Sequence, residues 1–281
     1  MTVSNITDEN IEEYSDLIDG DIAENIGRKY FRASAVTNKA DEVGAVMVWE
    51  YKNTGDDKDP EAELSWLSLK DNECARELFN AFRKDIVEEA VARTYFELED
   101  PKDKLSDVFS KLKFKTTKRE SRDIYTTVGE LAGNKIAAKK APSYIMSISD
   151  ISYREFRQGI IGCLYNGKKG MVEDLSTLSM DWYEPELSCV VKTDDELTGF
   201  LLIHKFPSGV LMPLLFYAGG PNYRMDLLDM MRFSVRKAAS IYPAETKVLI
   251  RRHNDAVRAL SDKLFPGVQG EEILFGERPE R

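Results

Sequence analysis

Two stretches of this chain, one near the start of each half, carry the same local pattern, and that duplication limits the fold more than any other feature. Ile6-Thr7-Asp8-Glu9-Asn10-Ile11-Glu12-Glu13-Tyr14 and Ile148-Ser149-Asp150-Ile151-Ser152-Tyr153-Arg154-Glu155-Phe156 both open an amphipathic helix. Each is followed by a strand, a turn with Asp and a second strand led by Gly: Ala33–Thr37 with Gly44–Trp49, then Cys189–Lys192 with Gly199–His204. Later, Val108-Phe109-Ser110-Lys111-Leu112 matches Leu260-Ser261-Asp262-Lys263-Leu264. A period this long means two copies of one domain, since solenoid repeats recur every 20–50 residues or so.

The chain's 281 residues suffice for two domains that each bury a core. With 42% hydrophobic and 31% charged residues, the composition is that of a globular protein. No apolar run approaches the ~18 residues a membrane span needs, and the polar, acidic start argues against a secretory signal, so a cytoplasmic protein is expected. Cys74, Cys163 and Cys189 are too few and too scattered for a disulfide framework or a zinc site, and no metal is expected. The net charge is −10, and residues 1–131 carry 30 acidic against 19 basic side chains. Such a surface repels phosphate backbones, which excludes nucleic acid as a partner. It reads either as a solvated face or as an attraction for a cationic amine.

Periodicity and turn signals order the elements. In the first half they give a helix from Asp8 to about Leu17, strands at Ala33–Thr37, Val43–Glu50 and Glu63–Leu69, and a helix at Cys74–Ala92. A strand at Thr94–Leu98, a helix at Asp103–Leu112 and a closing strand at Ile124–Val128 follow. Gly133–Ser143, basic and ending in small residues around Pro142, reads as a linker. The second half repeats the order: helix Asp150–Cys163, strands Leu187–Lys192, Leu197–Lys205 and Val210–Tyr217, helix Met225–Ser240, strand Lys247–Arg251, helix Ala256–Leu264 and a last strand Glu272–Gly276. The expected fold is α+β, with domains at 1–131 and 144–281, a linker at 132–143, and one mixed sheet flanked by helices in each.

That order and lettering resemble the GNAT acyltransferase family, present twice. Val190-Val191-Lys192-Thr193-Asp194-Asp195-Glu196-Leu197-Thr198-Gly199-Phe200 looks like the family's second and third strands, a hairpin whose Gly permits tight packing. Asn254-Asp255-Ala256-Val257-Arg258-Ala259-Leu260-Ser261-Asp262-Lys263-Leu264-Phe265 is similar to its late signature Asn-x-x-Ala-x-x-Leu-Tyr-x-x-x-Gly-Phe, one residue short. Ala62–Leu69 resembles the fourth strand, and Lys111-Leu112-Lys113-Phe114 the terminal Lys-Leu-Gly-Phe. The resemblance implies an acyl-CoA-dependent N-acyltransferase with acetyl-CoA or another acyl-CoA as co-substrate and a small-molecule or protein amine as acceptor. A homodimer is compatible with it.

Family members hold the CoA pyrophosphate in a loop, Arg/Gln-x-x-Gly-x-Gly/Ala, whose backbone N–H groups face phosphate at a helix N-terminus. In the first half the equivalent is Lys70-Asp71-Asn72-Glu73-Cys74-Ala75, without glycine and with two carboxylates where an anion would sit. In the second it is Phe216, Tyr217, Ala218, Gly219, Gly220, Pro221, Asn222, Tyr223, Arg224 and Met225. This second loop is compatible with phosphate, or is an ordinary Gly-Gly-Pro turn; with Asn254 these residues, Pro221 aside, form the expected cofactor site. Acyl transfer to an amine gains from a base and from an acid for the leaving thiolate. The family's acidic tyrosine falls on Phe109 in one copy and Ser261 in the other. Glu63 is a candidate base, or an exposed strand residue. Tyr217 and Tyr223 are candidate substitute acids beside Ser261. His204 and His253 lack a nucleophile pattern, and Gly167–Gly170 is a turn and not a phosphate loop. The alternative to a transferase is a catalytically silent GNAT-fold module that binds a metabolite or partner.

Overall fold

The two strands expected to close their own halves are traded between them. The computed structural model describes residues 1–281 except 53–58, 101–104, 166–174, 176, 220, 253–254, 266 and 281. The strands are β1 (Thr2–Ile6), β2 (Phe31–Thr37), β3 (Val43–Lys52), β4 (Glu61–Leu69), β5 (Arg93–Leu98), β6 (Lys115–Glu120) and β7 (Asp123–Thr127), then β8 (Ile145–Ser147), β9 (Cys189–Thr193), β10 (Glu196–Lys205), β11 (Leu211–Ala218), β12 (Lys247–Arg251) and β13 (Glu272–Pro279). They form one mixed sheet in the order β1-β2-β3-β4-β5-β13-β6 and another in the order β7-β12-β11-β10-β9-β8. The last strand of the chain thus lies between β5 and β6, antiparallel to both, while β7 pairs antiparallel with β12. This corrects the expectation that Ile124–Val128 and Glu272–Gly276 each close the half that precedes them.

The compact units follow the trade: Met1–Ser121 with Glu271–Arg281, and Arg122–Gly270. This division differs from the expected one at 131 and 144, and the segment 132–143 lies inside the second unit. There, the helix α4 (Val128–Gly133) and a 3-10 turn at Lys135–Ala138 pack on the long helix Tyr223–Ile241. The capping box between Thr127 and Glu130 starts α4 just after β7.

The other helices are α1 (Gly20–Ala23), α2 (Ala75–Glu88), α3 (Leu105–Lys111), α5 (Tyr153–Tyr165), α6 (Tyr223–Ile241) and α7 (Asp255–Leu264). The helix expected over Asp8–Leu17 is only a 3-10 turn at Ile11–Tyr14 followed by the four-residue α1. A polar side chain competes for the backbone there, since Asn10 Oδ1 takes the Thr7 N–H at 2.8 Å, while Asp19 Oδ1 takes the Asp21 N–H at 2.9 Å and caps the short α1. The second copy does form its helix, because Ser152 and Glu155 make a reciprocal cap at the start of α5.

Strand alternation splits each sheet between two cores. In the first unit Met47 and Trp49 join Leu78, Phe82, Phe96 and Phe109 beneath α2 and α3, whereas Val46 and Val48 join Ile6, Tyr14 and Leu17 on the other face. In the second, Val191, Leu201 and Met230 lie on the α6 side, and Phe156, Phe200 and Leu202 on the α5 side. Gly199 is needed for close approach: a Cβ there would lie 2.8 Å from Val191 Cγ2.

Two features open the sheets. Register slips place an extra residue at Ser65 in β4 and at Leu214 in β11, and such bulges bend a strand. The parallel pairing of β4 with β5 ends at Leu64–Phe96, and that of β11 with β12 is confined to Leu211–Val248. Beyond those points each pair of parallel strands diverges.

Candidate functional site

A parallel sheet that splits leaves its gap at the strand ends, and the next helix begins there. In the second unit β11 ends at Ala218 and α6 begins at Tyr223. Gly219 donates its N–H to the Thr198 carbonyl at 2.8 Å, fixing the loop against β10. Asn222 stands at the N-cap position with no side-chain cap, and its carbonyl takes the N–H groups of Met225 and Asp226. The N–H groups of Tyr223 and Arg224, in the first turn, point out of the helix with its positive dipole end behind them. Pro221–Met225 line a shallow hollow of about 400 Å³. Arg224 is exposed, with its Nε 3.0 Å from the Tyr223 hydroxyl. A helix start without a cap, beside a guanidinium, suits an anion.

The first unit's equivalent is closed. Lys70 and Asp71 both donate their N–H to the Gly44 carbonyl at 2.9 Å, and Asp71 Oδ1 caps the N–H of Glu73 at 2.8 Å. The Asp71 carboxylate thus takes a backbone N–H at the start of the 3-10 turn Asn72–Cys74 that leads into α2.

Of the expected cofactor residues, Phe216 and Ala218 pack on the α6 side with Leu227 and Ile250, while Tyr217 turns to the α5 side beside Phe200 and Leu197. Asn222, Tyr223, Arg224 and Met225 are brought together at the hollow, with Tyr223 44% and Met225 51% exposed. Gly219 contributes its position but not its amide. Gly220 and Asn254 lie outside the described residues, as do His253 and the Gly167–Gly170 segment.

Each of the four candidate catalytic groups has its own surroundings within its unit. Ser261 is buried in α7, and its hydroxyl donates to the Arg258 carbonyl of its own helix at 2.8 Å. Phe109, its counterpart, is stacked on Phe96 at 3.8 Å in the first unit's core. Glu63 is bound between Lys52 Nζ and the Tyr95 hydroxyl, each at 3.3 Å. Burial, with Glu63 and Glu61 nearby, pushes the Tyr95 hydroxyl's pKa up, so it serves as a donor to Glu63. Tyr217 packs on the α5 side, and Tyr223 is exposed at the start of α6.

Sequence reasoning missed a buried acidic pair in α6. Asp226 and Asp229 are 7% and 3% exposed, and the Tyr144 hydroxyl donates to Asp229 Oδ2 at 2.9 Å while Arg232 Nη1 holds Asp229 Oδ1 at 2.5 Å. The available signal was two aspartates at i and i+3 on the stripe that carries Met230. Among the described residues no group of His, Cys, Asp and Glu is arranged to hold a metal, and no helix is long and apolar enough to cross a membrane.

No family model and no curated protein matches the sequence. Solved structures do match the fold. The tandem GNAT protein from the clavulanic acid biosynthesis pathway superposes with a TM-score of 0.61 at 10% identity, over 100% of this chain and 98% of that one. A probable N-acyltransferase from Enterococcus faecalis gives 0.54 at 11%, over 99% and 72%. A putative acetyltransferase from Pyrococcus horikoshii gives 0.53 at 12%, over 100% and 89%. The chain therefore has the tandem GNAT fold, an α+β arrangement of two mixed sheets.

Proposed function

We propose that this chain is an acyl-CoA-dependent N-acyltransferase that holds the acyl-CoA in its second unit and takes a small-molecule or protein amine as acceptor. The observation that carries the reading is the contrast between two equivalent helix starts. The 3-10 turn Asn72–Cys74 that leads into α2 is capped by Asp71, whereas the turn into α6 has no side-chain cap and has Arg224 beside it. Structures of the same fold that bear acyltransferase names support the reaction class.

The residues fit the cofactor's phosphates in kind. The Tyr223 and Arg224 amides with the Arg224 guanidinium would hold the pyrophosphate. Pro221 has no N–H and Gly219 has committed its own, so the helix start carries this task more than the loop does. The divergence of β11 from β12 leaves a strand edge along which the amide-bearing pantetheine arm would lie, as added strands do. When bound, acyl-CoA supplies the thioester that an amine attacks. The chain's own contribution is mainly positioning, with Tyr223 in the first turn of α6 offering a hydroxyl beside the loop. Absence of a dedicated acid costs about 10²–10⁴-fold, which slows transfer without removing the gain from orientation.

A second reading is a catalytically silent acyl-CoA-binding module. It is favoured by the two replaced tyrosine positions, where Phe109 is a core residue and the Ser261 hydroxyl is tied to its own helix. Thiol release from acetyl-CoA with a panel of amines separates the two. The transferase reading expects amine-dependent release that is lost in Arg224→Glu. Binding of acetyl-CoA without release for any amine selects the silent module, and no binding overturns both.

A further inference from the structure

The stretch Lys111–Glu120 runs against the charge of the half that contains it. Residues 1–131 hold 30 acidic side chains against 19 basic ones, yet here Lys111, Lys113, Lys115, Lys118 and Arg119 face the single carboxylate of Glu120. The stretch begins at the last residue of α3 and ends with β6. Two of its cations are held by the protein itself, Lys118 by Glu272 at 2.9 Å and Arg119 by Glu97. Lys111, Lys113 and Lys115 are exposed and have no side-chain partner among the described residues.

β6 is also an end strand of the first sheet. It pairs with β13 from Lys115 to Glu120, and among the described residues no strand takes its other side. In an antiparallel ladder every second residue turns both its N–H and its C=O away from the partner, so β6 offers a row of outward backbone groups. Basic side chains can blunt such an edge against self-pairing. That need would be as great at the other end of the same sheet, where β1 carries Thr2, Val3, Ser4, Asn5 and Ile6 with no charge at all. Blunting alone therefore does not explain why the cations gather at β6.

We propose that β6 is a docking edge for an extended, acidic polypeptide segment of another protein. The segment adds a strand to the open side of β6, and its carboxylates meet Lys111, Lys113 and Lys115. A second copy of this chain does not fit, because β6 laid against β6 sets cations opposite cations. Nucleic acid matches the cations but has no amide backbone to continue the ladder, and the surrounding unit repels its phosphates. The docking edge does not depend on the acyl-CoA reading of the second unit.

The test is fluorescence anisotropy of the full chain with a short labelled peptide of alternating Glu and Thr. Binding is expected, together with slowed amide exchange in β6. The same peptide N-methylated at every residue keeps its charge but cannot pair as a strand, and is expected not to bind. Lys113→Asn combined with Lys115→Glu removes one cation and reverses another. Asn suits position 113, whose φ is 65°, and both side chains are exposed, so the fold is spared. Exposed ion pairs contribute a few-fold each, so this variant is expected to bind the unmodified peptide about tenfold more weakly. Failure of the unmodified peptide to bind overturns the inference, as does equal affinity for the N-methylated peptide or unchanged affinity in the double variant. Tighter binding of a single-stranded oligonucleotide or of phosphatidylglycerol vesicles than of the peptide also overturns it, and gives the patch to a phosphate-bearing partner.

Discussion

Gly276 tests the strand trade in a single atom. It sits on β13 opposite Phe96 of β5, and a Cβ added there would lie 2.2 Å from Phe96 Cε1 and 2.3 Å from Cζ. The Phe96 ring has nowhere to retreat. It is 1% exposed, stacked on Phe109 at 3.8 Å and met edge-on by Phe114 at 5.3 Å. Overpacking a filled core costs about 1–3 kcal/mol, and the aromatic cage puts Gly276→Ala at the upper end. For a unit of this size about 3 kcal/mol lowers Tm by roughly 10 °C. The assay is tryptophan fluorescence during heating in a Trp182→Phe background, where the signal comes from Trp49 and Trp66, both in the first unit. Adding Phe96→Leu makes room, and the penalty for Gly276→Ala is then expected to shrink by about 1 kcal/mol or more. If Gly276→Ala melts with its parent, or the two losses simply add, β13 does not pack on Phe96 and the traded topology is wrong.

Two further substitutions probe single side chains. Asp85 takes hydrogen bonds from Trp49 Nε1 at 3.1 Å and from the Tyr51 hydroxyl, so Asp85→Ala strands two donors and is expected to cost about 2 kcal/mol in urea unfolding, with an unchanged midpoint counting against the bonds. Glu155 accepts from the Ser152 backbone N–H and hydroxyl and pairs with Lys192, which draws its pKa down from 4.5 to about 2. The folded value is depressed, so its stabilisation is present above the ordinary carboxylate range and is lost as pH falls through about 2. Glu155→Gln should therefore lower Tm at pH 7 and leave it unchanged near pH 2; an equal loss at both would refute the assignment.

The sequence spelled out most elements and both sheet classes, because β-branched runs and helical stripes report burial. Burial is also all they report. Ile273, Leu274 and Phe275 declare a buried strand without saying which sheet buries it, and β13 went to the first unit. Lys115–Glu120 has no apolar residue, so β6 was invisible; it is held by backbone pairing to β13. The site was legible where chemistry is local. Asp71, one of the two carboxylates noted in the first loop, caps the Glu73 N–H. It was not legible where direction decides. Nothing in the order of letters says that Tyr217 turns to the α5 side or that Ser261 spends its hydroxyl on Arg258.

Isothermal titration of the whole chain with CoA, repeated on Arg224→Glu and on Asp71→Ala, addresses the central claim. The account expects one CoA per chain, loss of binding in Arg224→Glu, and no change in Asp71→Ala, whose helix start belongs to the unit that closes itself. Two sites per chain, or full affinity in Arg224→Glu, would contradict it.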